Sequence, residues 1–99
     1  MTKAQLKDYR YLKLDLEQLD HNSQQYVATK AACQEVERFV NSIERAKPRA
    51  LMRAKYIEGE ATPTWYSVAR KFHISESHAK NICNAIINQK CKAVPNSTE

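Results

Sequence analysis

Five side chains that can meet a nucleobase edge recur over one short stretch: Glu76, Ser77, Lys80, Asn81 and Asn84. A lysine suits the paired acceptors of guanine, an asparagine amide can make two bonds to adenine, and a carboxylate can accept from the cytosine amine. Just ahead of them, the Ser75 hydroxyl is placed to cap a helix whose first amides would face a DNA phosphate. Arg49, Arg53, Lys55, Arg70, Lys71 and His78 are further candidates for phosphate contacts, which position a protein on a duplex without reading its sequence. An ordinary solvated helix face has a similar composition, so the assignment depends on what holds this helix and which way it must point.

The twenty residues from Trp65 to Asn84 supply that constraint, because they read as a helix-turn-helix. Such a motif needs apolar side chains inside two short crossing helices, a small residue where they touch and a tight turn between them. Val68, Ala69, Phe72, Ile74, Ala79 and Ile82 fill the apolar positions, with Ala69 at the closest approach. The second helix, residues 75–90, is then the one expected to enter the major groove. His73 stands at the turn position that favours positive φ, which histidine adopts at less cost than a β-branched residue.

Charge follows the motif. Residues 1–46 carry seven basic and seven acidic side chains, whereas residues 47–92 carry nine basic and three acidic ones. A local excess of positive charge attracts a polyanion and steers its approach. No glycine-rich phosphate loop, paired metal-ligating histidines or nucleophile motif occurs, so neither an enzyme nor a cofactor or metal site is expected. Cys33, Cys83 and Cys91 form an odd set without a Cys-x-x-Cys pair and read as free thiols, Cys33 within an apolar seam. No stretch is apolar enough for a secretory signal or a membrane span, which makes the cytoplasm the expected location.

The rest of the chain reads as helices that support the motif. With 42% hydrophobic residues, one glycine and three prolines, and no clean apolar–polar alternation, the fold class is all-α. Leu6, Tyr9, Leu12, Leu16 and Leu19 form a stripe on a helix from about Lys3 to Asp20. Asn22, with Gln25 three residues on, is expected to cap a second helix reaching about Lys47, whose seam is Tyr26, Thr29, Cys33, Val36, Val40 and Ile43. A third helix is expected from Pro48 to Glu58, ended by Gly59 as a left-handed cap, and Thr62 or Thr64 caps the fourth. Trp65 is expected to pack under the third helix, with Tyr66 at the rim.

Three segments follow: an N-terminal helical hairpin (1–46), a three-helix DNA-binding domain (47–92) and a flexible tail (93–99). The two N-terminal seams serve equally well as the core of one chain or as a homodimer contact. A dimer would set two reading helices about 34 Å apart on paired half-sites.

The run Arg49-Ala-Leu51-Met-Arg53-Ala-Lys-Tyr56-Ile57-Glu-Gly59, then Val68-Ala69, then Ile74-Ser75-Glu76-Ser77 and Ile82, resembles region four of bacterial sigma factors. More closely it is similar to the small phage late-transcription regulators of the RinA and ArpU kind. That resemblance implies a sequence-specific binder of double-stranded DNA, encoded by a phage or prophage and activating late genes, with host RNA polymerase as a candidate partner. The alternative is a protein-interaction or assembly module, such as a small packaging-complex subunit or a phage factor that redirects a host protein, binding DNA only nonspecifically.

Overall fold

Thr2 opens the first helix. Its hydroxyl accepts from the Gln5 amide at 3.3 Å while the Gln5 side chain accepts from the Thr2 amide at 2.7 Å, a reciprocal cap that satisfies two otherwise orphaned donors. The computed structural model describes residues 2–59 and 61–90, so Cys91 and the tail at 93–99 lie outside the described residues. Within them the chain is all-α: α1 (Lys3–Gln18), α2 (Gln24–Asn41), α3 (Ala46–Met52), α4 (Trp65–Lys71) and α5 (Glu76–Lys90). A π-helical turn, Arg53–Ile57, continues α3. No described helix is long and apolar enough to cross a membrane.

Three helix boundaries differ from the sequence expectation. The cap of α2 is Ser23, not Asn22: its hydroxyl accepts from the Tyr26 amide at 3.0 Å and donates to the Asp20 carbonyl at 2.7 Å, while the Asn22 amide donates to the Asp20 carboxylate. Gln25 therefore takes no part in a capping box there. Nor does α2 reach Lys47. It ends at Asn41, where the Ser42 hydroxyl donates to the Phe39 carbonyl at 2.7 Å and competes with the helical ladder. Ile43 then turns into the core, and the Arg49 guanidinium donates to its carbonyl at 2.9 Å. Helix α3 starts at Ala46, so Pro48 falls in its first turn, where a missing amide hydrogen leaves no bond unmade.

Helices α1 and α2 run antiparallel, since Gln5 meets Glu35 near one end and Leu16 lies beside Tyr26 near the other. Both seams face inward, with Leu6, Tyr9, Cys33, Val36 and Val40 buried. They belong to the same contiguous core as Leu51, Met52 and Tyr56 of α3 and its π turn, Val68 and Ala69 of α4, and Ala79, Cys83 and Ile87 of α5. The apolar core is continuous across residue 46, the first residue of α3.

Arg10 joins the two parts. It is the one buried charged side chain among the described residues, at 8% exposure, and it approaches the C-terminal end of the π turn. Its Nη1 donates to the Lys55 carbonyl at 2.8 Å and to the Thr62 hydroxyl at 3.3 Å, its Nη2 to the Glu58 carbonyl and its Nε to the Gly59 carbonyl. The last carbonyls of a helix have no partner inside it and carry the negative end of its dipole, which makes a guanidinium a fitting cap. Gly59 follows with φ 81°, the left-handed conformation that closes a helix.

Replacing Arg10 with Met should lower unfolding free energy by about 2–4 kcal/mol in urea titration, because charge-assisted bonds to several carbonyls are lost together. The thiols give a second check. Burial pushes Cys83 up to about 12 and raises Cys33 as well, so their neutral forms favour the folded state. Their contribution is complete below about pH 8.5 and is lost as pH rises toward the folded-state values, so stability should fall on that alkaline limb. In a Cys91→Ser protein, a thiol reagent at about pH 8 should label nothing until the chain unfolds.

Candidate nucleic-acid interface

Thr64 starts α4, its hydroxyl accepting from the Ser67 amide at 3.1 Å. Thr62, the other threonine considered for that cap, instead accepts from Arg10. Val68 and Ala69 are the buried face of α4, and they belong to the same core as Ala79 and Cys83 of α5. At the end of α4 the chain reverses: the Ile74 amide donates to the Ala69 carbonyl at 3.0 Å, and His73 takes φ 58°. Ser75 then caps α5, accepting from the His78 amide at 3.1 Å.

With Ala79, Cys83 and Ile87 inward, the outward face of α5 is set. Successive residues turn by about 100°, which puts Ser77 and Asn81 near the middle of that face. Lys80 and Asn84 lie on one flank and His78 on the other. Glu76, Ser77, Lys80 and Asn81 are exposed; Asn84 is half-buried, beside Lys80 in a cleft that opens toward α1. All five candidate base-reading residues therefore share one helix, four of them open to solvent.

The candidate phosphate-binding residues divide differently. Arg70 is exposed and stacks on Tyr66, its Nη1 donating to the Tyr66 hydroxyl at 3.0 Å and its guanidinium carbon 5.7 Å from the ring centre. His78 is exposed too, with Lys47 Nζ donating to its Nε2 across 3.3 Å. Lys71 pairs with Glu58 at 3.7 Å on the surface, a contact that solvent weakens. Arg53 bonds the Asn41 side chain and sits 3.4 Å from the other Glu58 oxygen, and Arg49 holds the Ile43 carbonyl. These two arginines tie α3 and its π turn to the end of α2.

Lys55 is also held within the chain. Its Nζ donates to the Pro63 carbonyl at 2.7 Å and lies 4.7 Å from the centre of the Trp65 ring. Partial burial lowers its pKa, and the nearby charges of Arg10, Lys7 and Lys80 push in the same direction. Trp65 is half-buried against the core, as expected, and Tyr66 is 56% exposed at the rim. Sequence reading missed Lys47, which it set at the end of the second helix, because its partner His78 lies 31 residues away and only the fold brings the two together. Among the described residues no cluster of His, Cys, Asp and Glu is arranged to hold a metal ion.

Comparison of the chain with protein families, curated proteins and solved structures finds no match.

The turn geometry can be tested directly. His73→Val should destabilise the protein by about 1–2 kcal/mol, since a β-branched side chain is strained at positive φ. His73→Gly should stay within about 1 kcal/mol of the parent, because relief of that strain is offset by the larger entropy of unfolded glycine. Equal losses for the two variants in thermal unfolding would contradict the left-handed turn.

Proposed function

We propose that α4 and α5 form a helix-turn-helix and that the chain is a sequence-specific binder of double-stranded DNA acting in transcription. The observation that supports this most directly is the outward face of α5. It presents Ser77, Lys80 and Asn81 to solvent, with Glu76 in the first turn and Asn84 at the edge, on a helix whose opposite face is locked into the core. A major groove about 12 Å wide admits one helix, and hydrogen-bonding side chains near the helix N-terminus meet the base edges there.

In this reading Lys80 and Asn81 carry selectivity through guanine acceptors and an adenine edge. Arg70, His78 and the hydroxyl and amides at Ser75 are the phosphate contacts best placed to act without first leaving a buried partner. Arg49, Arg53 and Lys55 contribute by fixing α3 and its π turn, and through the general positive field. The kinship with RinA- and ArpU-like phage regulators, with a sigma-type region four, and with host RNA polymerase as a second partner belongs to the same proposal, resting on the residue pattern from Arg49 to Ile82.

Selection of bound sequences from a random duplex library at near-physiological salt tests it. A defined motif is expected from the parent protein, and paired half-sites would mean that two copies bind together. Lys80→Ala and Asn81→Ala should each cost about 1–3 kcal/mol on the selected site and relax its sequence, whereas Arg70→Ala should weaken binding to every duplex alike. Failure to enrich any motif, with only steeply salt-dependent binding left, would overturn sequence reading in favour of an assembly role.

A further inference from the structure

A cleft of about 510 Å³ separates the first turns of α1 from α5. Lys3, Lys7, Asp8 and Tyr11 line it from α1, Lys80 and Asn84 from α5, and Lys55, Tyr56, Thr62 and Trp65 complete it. Four lysines thus face one aspartate. Lys3, Lys7 and Lys80 are exposed, and none is in an ion pair among the described residues. This local excess is hidden in the amino-acid composition, because residues 1–46 are neutral as a whole.

We infer that Lys3 and Lys7 of α1 bind the sugar–phosphate backbone of the duplex whose major groove α5 occupies, so that α1 is part of the DNA interface. The inference rests on the reading of α5 as the DNA-facing helix and extends it to a part of the chain that reading leaves out. A helix is about as wide as the groove it enters, so phosphates of the two strands run along both of its flanks. One flank of the outward face of α5 carries His78 with Lys47 3.3 Å away. The other carries Lys80 and, across the cleft, Lys3 and Lys7. Positive charge on both sides of a polar helix face matches that pair of ridges.

The form of the cleft favours a backbone over a small anion. Lys3, Lys7 and Lys80 are solvated point charges spread over two walls, the kind of contact that releases counterions from a polyelectrolyte. Lys3 and Lys7 are one helical turn apart, so both present to the same side of α1 and can follow consecutive phosphates. Tyr11 continues that row at 71% exposure.

The test is the salt dependence of binding to a short random-sequence DNA duplex, measured for the parent, Lys3→Gln/Lys7→Gln, and a charge-matched control, Lys13→Gln/Lys30→Gln, on the opposite stretch of the hairpin. Loss of two phosphate contacts should make the slope of log K against log salt shallower by about 2 in the first variant, with the sequence preference from selection unchanged. The control should move it by less than half as much. Binding by the parent with the same slope in the cleft variant, or with equal changes in both variants, would overturn the inference and leave the α5 reading standing. A parent that binds no duplex would overturn that reading itself. All four substituted lysines are exposed, so both variants should keep the parent's helical circular dichroism.

Discussion

A single guanidinium holds the arrangement on which everything else in this molecule depends. Arg10 extends from the middle of α1 to the end of the π turn and donates to the carbonyls of Lys55, Glu58 and Gly59. A buried cation is costly unless its donors are matched, and here carbonyls left over by the helix end provide the match. Since the same side chain also reaches Thr62, it fixes the start of the connection that leads into α4. Together with Leu6 and Tyr9 in the core beneath it, that set of bonds ties α1 to the C-terminal helices.

The packing around Arg10 joins the two halves of the chain through one shared core. Tyr9 sits in the core with its hydroxyl on the Glu37 carboxylate, and burial beside that carboxylate raises its pKa well beyond the usual phenol range. Arg53 and Arg49 brace the opposite end, at the turn between α2 and α3. In consequence α5 is supported from behind by α3 and α4, and α1 is brought alongside its flank. The polar face of α5 needs no movement of the backbone to be presented, so little ordering cost would accompany its use.

Much of the helical part was legible in the sequence because it rests on local chemistry. Gly59 and His73 occupy left-handed positions for reasons contained in their own residue types and neighbours, and Ser75 caps α5 through an amide three residues on. The inward face of α5 could be read from Ala79 and Ile82 by periodicity alone. Arg10 could not, since its partners lie 45 to 52 residues away and an arginine between two tyrosines looks like any surface charge. The choice between Asn22 and Ser23 as cap was decided by how Asp20 folds the turn, a competition among three polar side chains that spacing cannot rank. For the candidate interface, the position of Lys80 and Asn81 was legible, whereas the internal duties of Arg49, Arg53 and Lys55 and the presence of Lys3 and Lys7 beside α5 depend on tertiary contacts.

The walls of the cleft come from residues far apart in sequence: Lys3 is in the first turn of α1 and Lys80 in the second turn of α5. Between them lie α2, α3 and α4, which must all pack before the two walls can face each other. No nascent chain or C-terminally shortened product that stops before α5 can present both, however well α1 and α2 have already paired. The cleft therefore exists only once α5 has docked, and a cut in the loop ahead of α4 that releases α5 would abolish the facing rows of charge without altering one of the lysines on α1.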